Sequence, residues 1–306
     1  MSTPLVSIGM PVYNGGETLR RALKSVLAQS EGNFEIILSD NASTDGVTQA
    51  ICEEYARLDP RIRLTRQPEN RGAIANFLWV VEHARGKYFM WAAHDDTWAK
   101  DYVELLSRRL DACPTAVLAT PSITTEKTIS HGDRIQHVIP PAPNADRWTT
   151  LDVFIKDAGC EWIYGLYRTN WIKTATPQWV NFPLDYGDLV WMFDLMVREQ
   201  VVGEPNTMFY YTNSHKTQKT ANRRLRKIEV WAQLIYHLNR ISWTRVPPAE
   251  QWRAFFYACR IIFRFHIYRR GILGTPANIA KLAMLWAMFG FGKGVNRIMG
   301  HRSLAR

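Results

Sequence analysis

Residues 91–98 read WAAHDDTW, so a histidine and two adjacent carboxylates stand at the end of the apolar run Tyr88-Phe89-Met90-Trp91-Ala92-Ala93. Adjacent carboxylates raise each other's pKa, and a divalent cation reverses that penalty. Hard oxygen donors suit Mg2+ or Mn2+, which use one or two carboxylates and complete their shell with substrate phosphates. Asp95 and Asp96, with His94 beside them, are therefore candidates to hold a metal-bridged diphosphate. The plainer alternative is that the two aspartates cap a helix beginning near Thr97.

A site of this kind needs a scaffold that brings other polar groups to the same edge. Short apolar runs at Leu5–Met10, Phe34–Leu38, Ile62–Leu64 and Tyr88–Ala93 alternate with helical periodicity. The helical positions are Leu19, Ala22, Leu23, Val26 and Leu27, then Ile51, Tyr55 and Leu58, then Phe77, Val80, Val81 and Ala84. Arg20, Arg21 and Lys24 fall on the solvent face of the first of these helices. Strand and helix alternating at this spacing predict right-handed βαβ units, an α/β fold with a mostly parallel sheet flanked by helices. Open sheets of this type bind ligands beyond the carboxyl ends of their strands. The segments at that edge, Pro11–Asn14, Ser39–Gly46, Arg66–Gly72 and His94–Asp96, all carry polar side chains, glycine or proline.

With 306 residues, 46% of them hydrophobic and 22% charged, the chain has the material for one large domain or two smaller ones. Cys52, Cys113, Cys160 and Cys259 are far apart and form no CxxC pair, which speaks against a zinc site or a disulfide framework and for a reducing compartment. The start, MSTPLVSIGMPVYN, has neither a basic region nor a long apolar one, so no signal peptide is expected and a cytoplasmic location is. The net charge of +10 is unevenly placed: residues 220–306 hold 16 Lys/Arg against two acidic residues, and residues 1–219 hold 22 against 26. Two parts are expected, a catalytic 1–219 and a basic, aromatic-rich, helical 220–306. Such a basic segment suits an anionic surface: membrane lipid, nucleic acid or a polyanion.

Four stretches, VSIGMPVYNGGETLRRALKSVLAQS, FEIILSDNASTDG, ENRGAIANFLWVVEHARGKYFMWAAHDD and YGDLVWMF, together resemble an inverting family 2 glycosyltransferase of the GT-A (Rossmann-like) fold. The resemblance implies transfer of a sugar from a UDP-, dTDP- or GDP-sugar donor to a hydroxyl of a saccharide or lipid-linked acceptor, in synthesis of a bacterial surface polysaccharide. By the same resemblance Pro11, Tyr13 and Asn14 line the base and ribose site, Asp40 accepts a hydrogen bond from the base, and Arg71 approaches the nucleotide. Asn41 stands where many members have a second Asp, while Ser43, Asp45 and Gly46 match and shape the loop. The family's Asp-x-Asp metal motif corresponds to His94-Asp95-Asp96, so His94 occupies the first Asp position and would bind the metal through its imidazole or hydrogen-bond the nucleotide. Asp96 becomes the direct ligand for Mn2+ or Mg2+, and Asp95 reaches the ribose or the metal's water shell. His215, in FYYTNSHKTQ, would contact the metal or the diphosphate.

An inverting transfer also needs a base for the acceptor hydroxyl. In FPLDYGDLVWMFDLMVRE the resemblance selects Asp188, with Gly187 replacing the usual Glu and Asp185 as second choice. Asp194 reads as a structural carboxylate. Trp162, Tyr164, Gly165 and Tyr167 resemble the strand beside donor sugar and acceptor, and read equally as core.

In the basic part, Arg253, Arg260 and Arg264 read as one helical face and Trp252, Phe255, Phe256, Cys259, Ile262 and Phe263 as the other. That composition suits peripheral attachment to the inner face of the cell membrane. The charge-free run Leu282–Gly292 is too short to span a bilayer. A packing subdomain or a homo-oligomer interface is the alternative. Two other functions are weighed. A sugar nucleotidyltransferase would want a cation in its triphosphate loop, which GMPVYNGGE lacks. A nucleic-acid-binding protein would use the basic segment, but no nucleic-acid module is recognisable and residues 1–219 are net acidic.

Overall fold

In this computed structural model, residues 3–129, 132–158, 160–177, 187–212 and 223–263 are described. The chain divides into two compact units, one of residues 1–181 and 199–218, the other of residues 182–198 and 219–306.

The first unit opens as the periodicity predicts: β1 (Val6–Val12), α1 (Gly16–Leu27), β2 (Phe34–Asp40), α2 (Thr48–Leu58), β3 (Ile62–Arg66), α3 (Ala73–Glu82) and β4 (Tyr88–Trp91). Then come β5 (Thr97–Trp98), α4 (Tyr102–Ala112), β6 (Ala116–Ile129), β7 (Gly132–Val138), α5 (Arg147–Val153), β8 (Leu166–Arg168), α6 (Thr169–Ala175) and β9 (Gln200–Thr212). They form one mixed sheet in the order β3-β2-β1-β4-β8-β6-β9-β5, with β7 paired to β6. Pairing is parallel through β3-β2-β1-β4 and antiparallel where β8 joins β4 and β6. The central strands are buried on both faces, so they read as continuous apolar runs.

β1 does not stop at Pro11 but runs on to Val12, with Pro11 opposite Ser39 of β2. Gly9 gives its carbonyl to the Ala92 N–H on the β4 side, and Pro11, two residues on, faces that same side just past the end of the β4 pairing. No ladder donor is needed there, so proline fits. The described residues of 120–160 are built around the long β6 and its hairpin partner β7. The Pro140-Pro141 run crosses β9 at Gly203, where a Cβ would lie 1.9 Å from the Pro141 carbonyl oxygen.

The second unit contains α7 (Gly187–Arg198), α8 (Arg223–Thr244) and α9 (Gln251–Phe263). α7 is buried from Leu189 to Val197, and Asp194 within it pairs with Arg198 at 2.6 Å. Its carboxylate is structural, as its place on an apolar helix suggests. On α9 the buried stripe is Ala254, Tyr257, Ala258, Ile261 and Ile262, while Trp252 and Phe256 are exposed beside Arg253. The two-faced reading of this helix is therefore corrected. At about 100° per residue, Trp252 and Phe256 fall outside the buried arc and share the exposed one with arginine. Among the described residues no helix is long and apolar enough to cross a membrane.

Candidate functional site

The carboxyl ends of β1, β2 and β4 carry loops whose polar groups are spent largely on each other. Asn14 adopts a left-handed backbone, φ 51°, which asparagine tolerates. Its Oδ1 accepts the Thr44 N–H at 2.8 Å, and its own N–H donates to Ser43 Oγ at 2.9 Å. Asp40, 1% exposed, accepts the Ser43 N–H at 2.9 Å and pairs with Arg66. Asn41 is buried, donates Nδ2–H to Asn70 Oδ1 at 2.9 Å and to the Gly72 carbonyl at 3.3 Å, and accepts the Arg71 N–H at 3.0 Å. An amide can do all of this and a carboxylate cannot, because it has no donor. The Asn in place of the usual second Asp thus ties the β2 loop to the loop before α3, where Gly72 has φ 82°.

At the end of β4 the expected helix cap is absent. Thr97 and Trp98 form β5, and α4 begins at Tyr102 with Asp101 at its N-cap position. Asp96 instead faces β9: its Oδ1 accepts the Thr212 N–H at 2.7 Å. The residue is 1% exposed, and its Oδ2 is buried with no hydrogen-bond partner among the described residues. Burial pushes the carboxyl up to about 7, against the opposing hydrogen bond from Thr212. The Asp95 carbonyl accepts Arg21 Nη2–H at 2.6 Å, and the same nitrogen donates to Thr212 Oγ1 at 3.2 Å. Arg21 so links α1 to both strand ends. His94 packs over Gly15, where a Cβ would come within 2.9 Å of the ring, and its burial lowers the imidazole pKa, favouring the neutral ring.

These groups surround a cleft of about 360 Å³, within the ~300–1,000 Å³ range of small-molecule sites. Of the residues singled out in the sequence, Pro11, Tyr13, Asn41, His94, Asp95 and Asp96 line it. Asn14, Asp40 and Arg71 do not line it: Asn14 and Asp40 bond within the loops beside it, and Arg71 gives its backbone N–H to Asn41. Tyr164 is on the wall, whereas Trp162 and Tyr167 are fully buried core. Sequence reasoning missed Tyr211 and Thr212 of β9, Asn70 and Asn76, all of which also line the cleft. β9 reaches the cleft through its pairing with β6, up to Glu126 opposite Thr212, and with β5, where Thr97 lies opposite Tyr210. Asp188 lies in the first turn of α7, in the second unit, with one carboxylate oxygen accepting the Leu189 N–H at 2.8 Å. Asp185 and His215 lie outside the described residues.

Among the described residues no three His, Cys, Asp or Glu side chains gather into a ready-made metal cage. The residues present fit a different kind of site. A buried carboxylate oxygen without a partner, next to a second carboxylate in an open cleft, is the donor set that a hard divalent ion completes with substrate oxygens.

A sheet that turns from parallel to antiparallel beyond β4 and gathers its polar loops at one edge is the GT-A architecture. It is shared with Staphylococcus aureus TarS 1–349, solved in complex with UDP-GlcNAc, at a TM-score of 0.70, 15% identity, and coverage of 93% of this chain and 80% of that one. It is shared more distantly with the mannosyltransferase PcManGT of Pyrobaculum calidifontis, solved with GDP-Man and Mn2+, at a TM-score of 0.52, 17% identity, and coverage of 94% and 81%. Residues 7–164, just over half of the chain, match the model of glycosyl transferase family 2, and the chain belongs to that family. Over 101 residues, a third of this chain and 40% of the relative, it is 39% identical to the provisionally named teichuronic acid biosynthesis glycosyltransferase TuaG of Bacillus subtilis. The match to the provisionally named glycosyltransferase EpsE of the same organism is 37% over 95 residues, 31% of this chain and 34% of EpsE. The chain thus spans less than half the length of these curated relatives.

Proposed function

We propose that the protein moves a sugar from a UDP-, dTDP- or GDP-sugar to a hydroxyl of a saccharide or lipid-linked acceptor, with inversion, in the synthesis of a bacterial surface polysaccharide. The observation that carries this reading is the Asp96 oxygen that has no hydrogen-bond partner among the described residues, buried at the wall of a cleft that β1, β4 and β9 build together. The likeness to TuaG supports the polysaccharide setting, and the donors bound to TarS and PcManGT support the class of donor. Tyr13 and Pro11 offer apolar surface for a base, and Tyr164 and Tyr211 offer aromatic surface for a sugar. Asp96 and Asp95 would hold Mg2+ or Mn2+, which supplies positive charge to the diphosphate as it leaves. Neutral His94, between these carboxylates and Gly15, would hydrogen-bond phosphate or complete the metal's shell.

Asp188, with Asp185 as the alternative, would take the proton of the acceptor hydroxyl; this assignment rests on the motif. Residues 1–219 would carry the transfer and residues 220–306 a peripheral contact with the inner face of the cell membrane. The test is a thermal-shift screen of UDP-, dTDP- and GDP-sugars with and without Mn2+, followed by an assay of nucleoside diphosphate release with candidate acceptors. One donor class should stabilise the wild type, and Asp96→Ala and Asp188→Ala should lose turnover. Transfer that survives both substitutions would sink the proposal.

A further inference from the structure

We infer that the turn joining α8 to α9 docks on an anionic bilayer surface. The inference rests on the membrane contact proposed above and names the surface that makes it. Trp252 is 70% exposed and Phe256 60% exposed, one helical turn apart on α9. Neither belongs to the buried stripe of the helix, which Ala254, Tyr257, Ala258, Ile261 and Ile262 make continuous. The exposed apolar surface continues through Pro247, Pro248 and Ala249 at the tip of the helical hairpin. Trp252 is also held in place: Trp243 of α8 packs edge-on against it at 4.8 Å between ring centroids, and Phe255 at 5.7 Å. Its exposure is thus a property of the fold and not of a loose side chain, and little ordering is left to be done on contact.

The charge around this tip selects the partner. Arg253 on α9 and Arg240 on α8 are exposed, while the acidic residue of the turn, Glu250, is half-buried. Residues 220–306 hold 16 Lys/Arg against two acidic residues. Large aromatics at a tip flanked by exposed arginine match a headgroup layer in which cations meet lipid phosphate and Trp and Phe reach the acyl boundary, ~5–10 Å deep. A peripheral contact needs no spanning helix, and none occurs among the described residues.

The experiment is flotation of the full chain with phosphatidylcholine vesicles, with and without phosphatidylglycerol, at low salt. The wild type should float with the anionic vesicles. The double variant Trp252→Ser/Phe256→Ser should lower bound protein about tenfold or more, and Arg253→Glu should weaken binding to anionic vesicles alone. Arg253→Glu should melt like the wild type, and the double variant should stay folded with a small drop in melting temperature for the lost contacts of Trp252 with Trp243 and Phe255. Equal flotation of wild type and double variant overturns the inference, as does no flotation at all. Sedimentation velocity covers the rival occupant: a double variant that dissociates a self-associated wild type, with flotation unchanged, assigns the face to a second copy and also overturns it. Nucleotide-sugar thermal shifts on the same preparations report the catalytic reading separately, so either can fail alone.

Discussion

Replacing Asp96 with asparagine should make the protein more stable and less active, and the stability gain should grow with pH. Burial raises the Asp96 carboxyl from 3.8 to about 7, overriding the Thr212 hydrogen bond. The folded state therefore binds this proton more tightly than the unfolded chain does. The stability it contributes is fully present below the unfolded value of 3.8 and is lost as pH rises through the folded value of about 7. A difference of about three units, at 1.36 kcal/mol each, sets a ceiling of roughly 4 kcal/mol on that loss. Asparagine escapes it but sets N–H donors in the space of the orphan Oδ2 or Thr212-bonded Oδ1, which costs about 1–2 kcal/mol. The variant should then exceed the wild type by ~2–3 kcal/mol at alkaline pH and match or fall below it near pH 4.5. Urea unfolding of both proteins across this range, in EDTA so that bound metal does not add its own linkage, measures the gap directly. A gap that is constant with pH, or that widens on acidification, would refute the account of Asp96 as a buried, destabilised carboxylate. The same variant should lose metal-dependent stabilisation by the nucleotide-sugar.

Three further substitutions probe the frame around that residue. Arg21→Ala removes the bonds to the Asp95 carbonyl and Thr212 Oγ1 and should cut transfer about 10–100-fold with a smaller loss of melting temperature, part of it restored in Arg21→Lys. Asn41→Asp turns two donors into a carboxylate facing Asn70 Oδ1 and the Gly72 carbonyl; denaturant unfolding should show a loss of ~2–3 kcal/mol. Gly203→Ala drives a Cβ into the Pro141 carbonyl and should cost about 3 kcal/mol or more, seen as a large drop in melting temperature.

The parallel half of the sheet was legible because its signals are local. Apolar runs such as Val6–Met10 and Phe34–Leu38, each followed by a helical stripe, have only one compact arrangement in which both faces of the strands are covered. The strand-end rule then pointed to His94-Asp95-Asp96 before any contact was known. Asp40 and Arg71 were singled out by the family resemblance, and both stand at the expected edge, yet neither lines the cleft. Their type and position were readable, but whether a side chain serves ligand or loop depends on its nearest partner, and the ion pair of Asp40 with Arg66 is formed between neighbouring strands.

The sequence by itself determined the family, the α/β order, the edge at which chemistry gathers and the basic character of residues 220–306. The family is carried by the resemblance of four motifs in order, and the rest follow from periodicity, residue type and charge, which neighbours along the chain express together. The tertiary structure alone decided that Asp96 meets Thr212, that Tyr211 joins the cleft, that Arg21 clamps two strand ends and that Trp252 and Phe256 leave the buried stripe of α9. Each depends on elements brought together from distant parts of the chain or on which arc of a helix meets its neighbours, and neither is encoded in local spacing.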